Sequence, residues 1–476
     1  MAASETEART AAATRPGLIP AQSSALEKAC LLAAALTAFM SPFMASAINV
    51  ALPAIQRSFG MGAVALSWVS TAYLLASAIV LVPAGKVADI YGRKKVFTLG
   101  LTIFTASSLL LALAPSAAVL ILLRILQGSG AAMTYTTGMA ILTSVFPPHK
   151  RGRAIGFYVS AVYIGLSIGP TVGGVLTHYW GWRSIFAVIT PLGLIPIFIS
   201  VKYLTGEWRD APGEILDIWG SLIYAAAILA LVYGATQLPS AEGIYLLMGG
   251  LAGLAGFVYR QRKVRYPVFE VRLFQQNRLF AFSSLAALIN YAATFAVTFL
   301  MSLYLQYIKG FSPQSAGMIL LAQPAMQAIF SPLAGRWSDR IEPRILASAG
   351  MGLTALALIQ LIFIGAQTPL TYLIGLLLML GIGFGLFSSP NMNAIMGAVD
   401  KRYYGIASGA VATMRLLGQM SSMALATVIF AIFMGNAPIT PEIHPLFLQS
   451  LKVIFVTGSA LCTLGIFFSL VRGNIR

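Results

Sequence analysis

Long apolar segments are the feature of this chain that most limits what it can fold into. Fourteen of them follow one another with short connections, and most are long enough to cross about 30 Å of hydrocarbon as a helix. Inside a bilayer, backbone N–H and C=O groups need protein partners, which leaves helices or a closed barrel. Barrel strands alternate apolar and polar residues, and these segments do not. The sequence therefore predicts an all-α integral membrane protein with about fourteen transmembrane helices.

The seventh and eighth spans are the weakest predictions, because the eighth is short and rich in glycine. Removing both would leave the orientation of every other span unchanged. The predicted spans lie near residues 29–52, 66–85, 97–114, 118–144, 154–177, 184–203, 217–237, 244–260, 279–305, 315–335, 345–365, 370–390, 404–434 and 447–470.

Charged residues make up only 9% of the chain, against about 25% in soluble proteins. The net charge of +17 does not indicate nucleic-acid binding, because the basic residues sit in short connections and not on one soluble face. The two cysteines and three histidines form no metal-ligand or disulfide pattern. Neither a nucleophile elbow nor a phosphate-binding loop is present. We therefore expect no enzyme activity, no cofactor and no metal.

The basic residues also predict the orientation of the chain. With the N-terminus inside, 25 of the 31 Lys and Arg residues lie in cytoplasmic segments, 4 lie outside and 2 lie within spans. This split predicts a multi-pass protein of the cell membrane with both termini in the cytoplasm. A cleaved signal at Ala45–Ala47 is the disfavoured alternative, because the first apolar run is long and many more follow it.

A short pattern repeats between the two halves of the sequence. Gly85 and Asp89 follow the second span, and Gly335 and Asp339 follow the tenth at the same offset of 250 residues (335 − 85 and 339 − 89). Two similar six-helix halves indicate parallel repeats. The predicted divisions are a disordered cytoplasmic tail (1–27), a six-helix bundle (28–205), an inserted helix pair with its linkers (206–265) and a second six-helix bundle (266–476).

Several motifs carry a family resemblance. They are Gly85-x-x-x-Asp89-x-x-Gly92-Arg93-Lys94 after span 2, Arg124-x-x-Gln127-Gly128-x-Gly130 in span 4, Gly165-x-x-x-Gly169-Pro170-x-x-Gly173-Gly174 in span 5 and Asn49-Val-Ala-Leu-Pro53 in span 1. They resemble signatures of the major facilitator superfamily, and the last is similar to its fourteen-span drug/proton antiporter branch. Gly335, Asp339 and Arg415-x-x-Gly418 extend the resemblance to the second half.

This resemblance implies two bundles that rock around a central cavity open to one side at a time. It also implies export of small molecules driven by proton entry. We expect a small-molecule substrate, the lipid bilayer and protons as partners, with the chain working as a monomer. A periplasmic adaptor is left open.

Asp89 is predicted to act in gating. A carboxylate there could pair with Arg93 and cap the start of the span that opens at Tyr404, where a helix N-terminus favours negative charge. The resemblance implies that this contact locks the two bundles at the cytoplasmic face. The alternative is a solvated loop charge. In span 5, Gly165, Gly169 and Gly173 form a smooth stripe beside Pro170, which suits sliding of the halves or ordinary tight packing.

Two arginines lie deep inside spans, where an uncompensated charge costs about 2.5–3.5 kcal/mol. The resemblance places proton relay or substrate contact at Arg124, with Gln127 one turn away, and Arg415 is interpreted in the same way. The alternative for each is a structural hydrogen bond to a neighbouring helix. Other polar or adaptable residues within spans are candidates for the cavity wall: Met44, Ser46, Asn49, Tyr73, Tyr135, Asn290, Tyr291, Gln323 and Gln327.

One departure from the family pattern bears on the substrate. The antiporter branch commonly carries an aspartate where this chain has Met44, and no Asp or Glu lies well inside any span. An anionic, zwitterionic or neutral amphiphile therefore suits the charges better than a lipophilic cation. Proton-linked export is the leading hypothesis. An organic-anion carrier without proton coupling and a transport-inactive membrane sensor are the alternatives.

Overall fold

Long apolar helices fill the structure, which confirms the predicted fold class. The computed structural model describes residues 20–237, 240–338, 340–399, 404–435 and 437–473. Within these residues, fourteen helical segments are long and apolar enough to cross a membrane. Each of them coincides with one predicted span, and the described residues form no strand.

The helices are α1 (Pro20–Phe59), α2 (Ala63–Tyr91), α3 (Arg93–Ala112), α4 (Ala117–Val145), α5 (Pro148–Trp180), α6 (Arg183–Lys202), α7 (Ile218–Thr236), α8 (Ala241–Lys263), α9 (Val271–Gln276), α10 (Arg278–Thr294), α11 (Ala296–Leu303), α12 (Pro313–Leu320), α13 (Ala322–Ser338), α14 (Pro343–Leu361), α15 (Leu370–Gly397), α16 (Tyr404–Met434) and α17 (His444–Val471).

Two spans are interrupted. The ninth consists of α10 and α11 and ends in a π-helical turn at Tyr304–Ile308, and the tenth consists of α12 and α13. Wider turns of this kind often occur at functional positions in helices. At the other end of the chain, α1 begins at Pro20, inside the segment predicted to be a tail, and residues 1–19 lie outside the described part.

The same packing pattern occurs in both bundles. In the first half (α1–α6), α1 packs on α5, α2 on α4, α3 on α4 and α3 on α6. In the second half (α10–α17), the corresponding pairs are α10 with α16, α13 with α15, α14 with α15 and α14 with α17. The two halves are therefore repeats in their helix packing as well as in their sequence.

Glycines mark equivalent helix crossings in the two halves. A Cβ on Gly100 would lie 2.9 Å from the carbonyl oxygen of Gly130, and a Cβ on Gly350 would lie 2.6 Å from that of Gly383. Gly350 follows Gly100 by 250 residues (350 − 100), which is the offset of the Gly85 and Gly335 motif. The absence of a side chain lets the backbones meet at equivalent crossings in both halves.

The extra pair, α7 and α8, packs mainly on itself and lies against α2 and α16 through α7. Asp217 caps α7 by accepting from the Gly220 amide at 3.0 Å and also accepts from Arg260 Nε at 2.9 Å. Burial alone would raise the pKa of Asp217, but these hydrogen bonds, with one from Gln261, hold it below its ordinary value. Only 17% of the most apolar stretch of α8 is buried inside the protein, so most of this helix is left to face lipid. The division of the chain at 205 and 265 stays a prediction.

Candidate functional site

A cavity lies between the two halves. Residues from α1, α2, α4 and α5 face residues from α10 to α13, α15 and α16 across about 1290 Å³ of empty space, part of it continuous with the surroundings. The wall is mostly apolar and aromatic, with a few hydroxyl and amide groups. Small-molecule sites usually have this composition.

Most of the predicted cavity residues lie on this wall. Met44 and Asn290 do not: both are fully buried in the helix packing away from it. The predicted residues that line the cavity are Ser46, Asn49, Tyr73, Tyr135, Tyr291, Gln323, Gln327 and Arg415. Polar lining residues that the prediction missed are Ser41, Ser77, Tyr163, Thr294, Thr298 and Gln419. Gln419 follows Arg415 by one helical turn, which is the signal that could have revealed it.

The two ends of the bundle differ. We call one end of the bundle the basic end; it holds the connections at residues 92, 146–147 and 203–217. The opposite end, which we call the neutral end, holds the connections at residues 60–62, 113–116 and 181–182. At the neutral end the halves are joined by hydrogen bonds. Ser302 Oγ donates to the carbonyl oxygen of Asn49 at 2.8 Å, and Ser67 Oγ donates to Thr427 Oγ1 at 2.9 Å. These bonds close the cavity at that end.

Close backbone contact between α5 and α12 completes the closure. Thr171 Oγ1 donates to the carbonyl oxygen of Gly317 at 3.3 Å. A Cβ on Gly317 would lie 2.1 Å from the carbonyl oxygen of Pro170, and a Cβ on Gly174 would lie 2.4 Å from that of Pro313. The halves can approach this closely only because glycine stands at both crossings.

The predicted glycine stripe of α5 faces a different partner. A Cβ on Gly165 would lie 2.4 Å from the carbonyl oxygen of Phe39, and one on Gly173 would lie 2.8 Å from Cα of Ala47, both in α1. Gly169 lies against the Ser46 side chain. The stripe therefore packs within the first half, and the contact with the second half falls on the neighbouring face of α5.

At the basic end, the predicted gating residues form an ion-pair cluster within the first half. Arg93 donates to Asp89 Oδ1 from Nε at 3.1 Å and from Nη2 at 2.9 Å, and to Ser144 Oγ at 2.9 Å. Gly92 has a φ of 125°, which favours glycine. A Cβ added at Gly85 would meet no atom of the described residues within 4 Å, and one added at Gly335 would make only ordinary van der Waals contact with Ser389. Asp339 lies outside the described residues.

The linker between α6 and α7 covers this cluster and was not predicted to do so. Three of its acidic residues reach the loop: Asp210 pairs with Arg93, Glu214 pairs with Lys86, and Glu207 Oε1 accepts from the Lys94 amide at 2.8 Å. The Ala211 amide also donates to the Asp89 carbonyl oxygen at 3.1 Å. The carboxylates neutralise the basic loop in this conformation.

The two deep arginines have different surroundings. Arg124 is 1% exposed and donates from Nε to the Val69 carbonyl oxygen at 2.9 Å and from Nη1 to Gln127 Oε1. Its guanidinium lies 4.3 Å from the ring centroid of Tyr73, which separates it from the cavity. Gln127 in turn donates to Ser108 Oγ at 2.8 Å. Arg124 is thus held by protein groups of α2, α3 and α4.

Arg415, in contrast, lies on the cavity wall. Its guanidinium is 4.8 Å from the ring centroid of Tyr135 in the opposite half. Its Nε is buried and has no hydrogen-bond partner among the described residues. The Tyr291 side chain is a hydrogen-bond partner of Arg415, and two further tyrosines, Tyr158 and Tyr163, lie within electrostatic range.

Comparison with known proteins identifies this arrangement. A family model described as Major Facilitator Superfamily matches residues 34–216 and 283–473. The chain belongs to that family. The gap between the matched segments contains α7, α8 and α9, and the fourteen spans are consistent with the fourteen-span branch of the superfamily. The chain is therefore a membrane transporter and not an enzyme.

Similar proteins include a multidrug resistance protein and a riboflavin transporter. Multidrug resistance protein Stp of Mycobacterium tuberculosis (strain CDC 1551 / Oshkosh) is 34% identical over 420 residues, which cover 87% of this chain and 78% of that protein. Riboflavin transporter RibZ of Clostridioides difficile (strain 630) is 31% identical over 399 residues, which cover 84% and 86%. Among solved structures, a bacterial homologue of the human lysosomal transporter Spinster, inward-facing and unoccupied, has a TM-score of 0.67 at 17% identity and covers 96% of this chain and 98% of its own.

For a transporter of this family, the setting of Arg124 leads to a prediction. Arg124→Lys keeps the charge but cannot keep both directed hydrogen bonds. We expect the free energy of unfolding to fall by about 1.5–3 kcal/mol, as for hydrogen bonds of charged groups, with transport per folded molecule close to wild type. Thermal unfolding and vesicle transport measure the two effects, and Arg209→Lys in the exposed linker is the control. A variant with unchanged stability but no response to a pH gradient would instead make Arg124 a proton relay.

Proposed function

We propose that this transporter exports amphiphilic small molecules across the cell membrane by alternating access, coupled to proton entry. The observation that carries the proposal is the cavity between the halves, which has an apolar and aromatic wall, scattered hydrogen-bonding groups and one closed end. Such a wall suits molecules with both apolar and polar parts. The names of Stp, a multidrug resistance protein, and RibZ, a riboflavin transporter, support substrates of this kind.

The charges of the connections support the orientation. We propose that the basic end faces the cytoplasm and that both termini lie there, because cytoplasmic connections are enriched in Lys and Arg. The conformation described would then be closed to the outside. The similar Spinster homologue in an inward-facing state supports this assignment. We further propose that the chain works as a monomer.

Proton coupling has a restricted set of routes in this chain. The described residues that line the cavity include no Asp, Glu or His. A proton would have to pass through water and the carboxylates of the basic end, or enter with the substrate. Asp89 is the carboxylate whose partners we expect to change during the cycle.

The test is transport in lipid vesicles that contain the purified protein and an imposed pH gradient. We expect fluorescent amphiphiles to accumulate only when the gradient is present, and an ionophore that collapses it should stop accumulation. Protein-free vesicles control for passive movement. Accumulation that is indifferent to the gradient would reject proton coupling, and binding without any flux would leave a sensor.

An organic-anion carrier without proton coupling is the second candidate. It is favoured by Arg415 being the one formally charged group among the described lining residues. An anion crossing 100 mV carries about 2.3 kcal/mol, so its own gradient could drive the cycle. In the same vesicles, this carrier would respond to an imposed potential and not to the pH gradient.

A further inference from the structure

Arg415 is a buried cation with an incomplete set of hydrogen-bond partners among the described residues. An arginine has five N–H donors, and a charged side chain within a membrane normally pairs with other groups. The other deep cation, Arg124, donates to Val69 and Gln127. Arg472 at the end of α17 donates to Asn391 Oδ1 at 2.6 Å, and its Nη2 has no partner among the described residues, but Arg472 does not line the cavity. Arg415 lines the cavity and has the Tyr291 side chain as a hydrogen-bond partner, but its buried Nε has no acceptor among the described residues.

The described residues that line the cavity include no carboxylate that could neutralise this charge. They carry one formal charge, that of Arg415. The described acidic side chains near the helix ends, such as Asp89, Glu207 and Asp210, are engaged at the basic end. An attraction between opposite charges is stronger in a low-dielectric site than in water. The cavity therefore favours an anion at Arg415.

Aromatic rings surround the same point. The guanidinium lies 4.8 Å from the Tyr135 ring, and Tyr291 packs edge-on against Phe384 with ring centroids 5.2 Å apart. All three rings line the cavity, as do Gln323 and Gln419. Rings of this kind bind flat aromatic molecules by offset or edge-to-face contact, and amides can pair with ring carbonyl or N–H groups.

We propose that Arg415 binds the anionic group, such as a carboxylate or phenolate, of a planar aromatic substrate whose rings pack between Tyr135 and Tyr291. This inference rests on the proposed function, because it assigns the substrate class of the same cavity. A planar guanidinium supplies paired N–H donors that suit a carboxylate. An apolar remainder of the molecule extends along the rest of the wall.

The test uses two dyes that share a xanthene skeleton and differ in charge. Fluorescein is anionic at mildly alkaline pH, and rhodamine 123 is cationic. Binding to the purified protein in discs of phosphatidylcholine is measured by fluorescence anisotropy for wild type, Arg415→Gln and Arg415→Lys. Arg209→Gln in the exposed linker is the matched control for loss of a positive charge.

We expect wild type and Arg209→Gln to bind fluorescein more tightly than rhodamine 123. Arg415→Gln should weaken fluorescein binding by about 10- to 100-fold, the range for a lost charged hydrogen bond, without weakening rhodamine 123. Arg415→Lys should recover part of the loss, because it keeps the charge without the planar fork. Equal losses for both dyes, or no loss, in an Arg415→Gln protein that unfolds at the wild-type temperature would overturn the proposal.

Transport of the same dyes into vesicles separates the two proposals. Arg415-dependent binding of fluorescein without flux would keep the anion site and reject the exporter. Flux of both dyes that is unaffected by Arg415→Gln would keep the exporter and reject the anion site.

Discussion

Replacing Gly317 with valine is expected to hold the two halves apart at the neutral end and to reduce transport by at least about tenfold. A Cβ at this position would lie 2.1 Å from the Pro170 carbonyl oxygen, so the new side chain meets backbone that cannot rotate away. Overpacking costs about 1–3 kcal/mol, which shifts the equilibrium between closed and open neutral ends by about 5- to 150-fold. Because the added side chain would clash with backbone atoms, we expect the shift of the equilibrium in Gly317→Val to lie near the upper end of that range.

Disulfide cross-linking measures the closure directly. Ser67 Oγ and Thr427 Oγ1 are 2.9 Å apart across the neutral end, so cysteines at these positions should form a disulfide on oxidation. The yield should fall in Gly317→Val together with transport. Gly375→Val is the matched control, because no atom lies within 4 Å of its added Cβ. Wild-type cross-linking and wild-type transport in Gly317→Val would show that the α5 and α12 crossing does not need its glycine.

Asp89→Asn is expected to reduce transport by about tenfold while the protein still reaches the membrane. In the conformation described, Asp89 pairs with Arg93, and the linker residue Asp210 pairs with the same guanidinium. Loss of the Asp89 charge therefore leaves Arg93 with an acidic partner, and this conformation survives. The conformation closed at the basic end loses a carboxylate that we expect to face the start of α16, where a helix terminus stabilises negative charge by up to about 2 kcal/mol.

Asp210→Asn separates this effect from a general loss of charge at the basic end. The Asp210 side chain is 66% exposed, and exposed ion pairs contribute little to stability. We expect Asp210→Asn to transport nearly as fast as wild type.

Labelling of a cysteine at Thr294, on the cavity wall, with an impermeant maleimide reports access from the basic end. Access should increase in Asp89→Asn, and transport at the wild-type rate in this variant would reject the gating role.

The apolar segments alone were sufficient to predict the fourteen helices, because lipid offers no hydrogen bonds to backbone groups. The helix ends were less predictable. Helix α1 continues to Phe59, beyond its predicted end near residue 52, since a helix need not stop where the hydrocarbon does. The π-helical turn at Tyr304–Ile308 has no proline or glycine to mark it, so the sequence offered no signal.

The cavity wall was predictable in part. Tyr73, Tyr135 and Tyr291 are polar-tipped residues within apolar spans, and each faces the cavity. Which face of a helix turns inward depends on packing with its neighbours, and Met44 in α1 lies within the packed core. The difference between Arg124 and Arg415 was also hidden, because it depends on whether a carbonyl such as that of Val69 points at the guanidinium.

The position of α7 makes the two lipid-facing sides of the bundle unequal. The halves meet along two seams, one where α2 contacts α16 and one where α5 contacts α12. Helix α7 lies across the first and is tied to the first half by the Tyr224 hydroxyl, which donates to the Ala78 carbonyl oxygen at 3.1 Å. Within the described part of the chain, helix α7 does not pack against the second seam, so lipid-dissolved compounds are expected to reach the α5 and α12 seam more readily than the α2 and α16 seam.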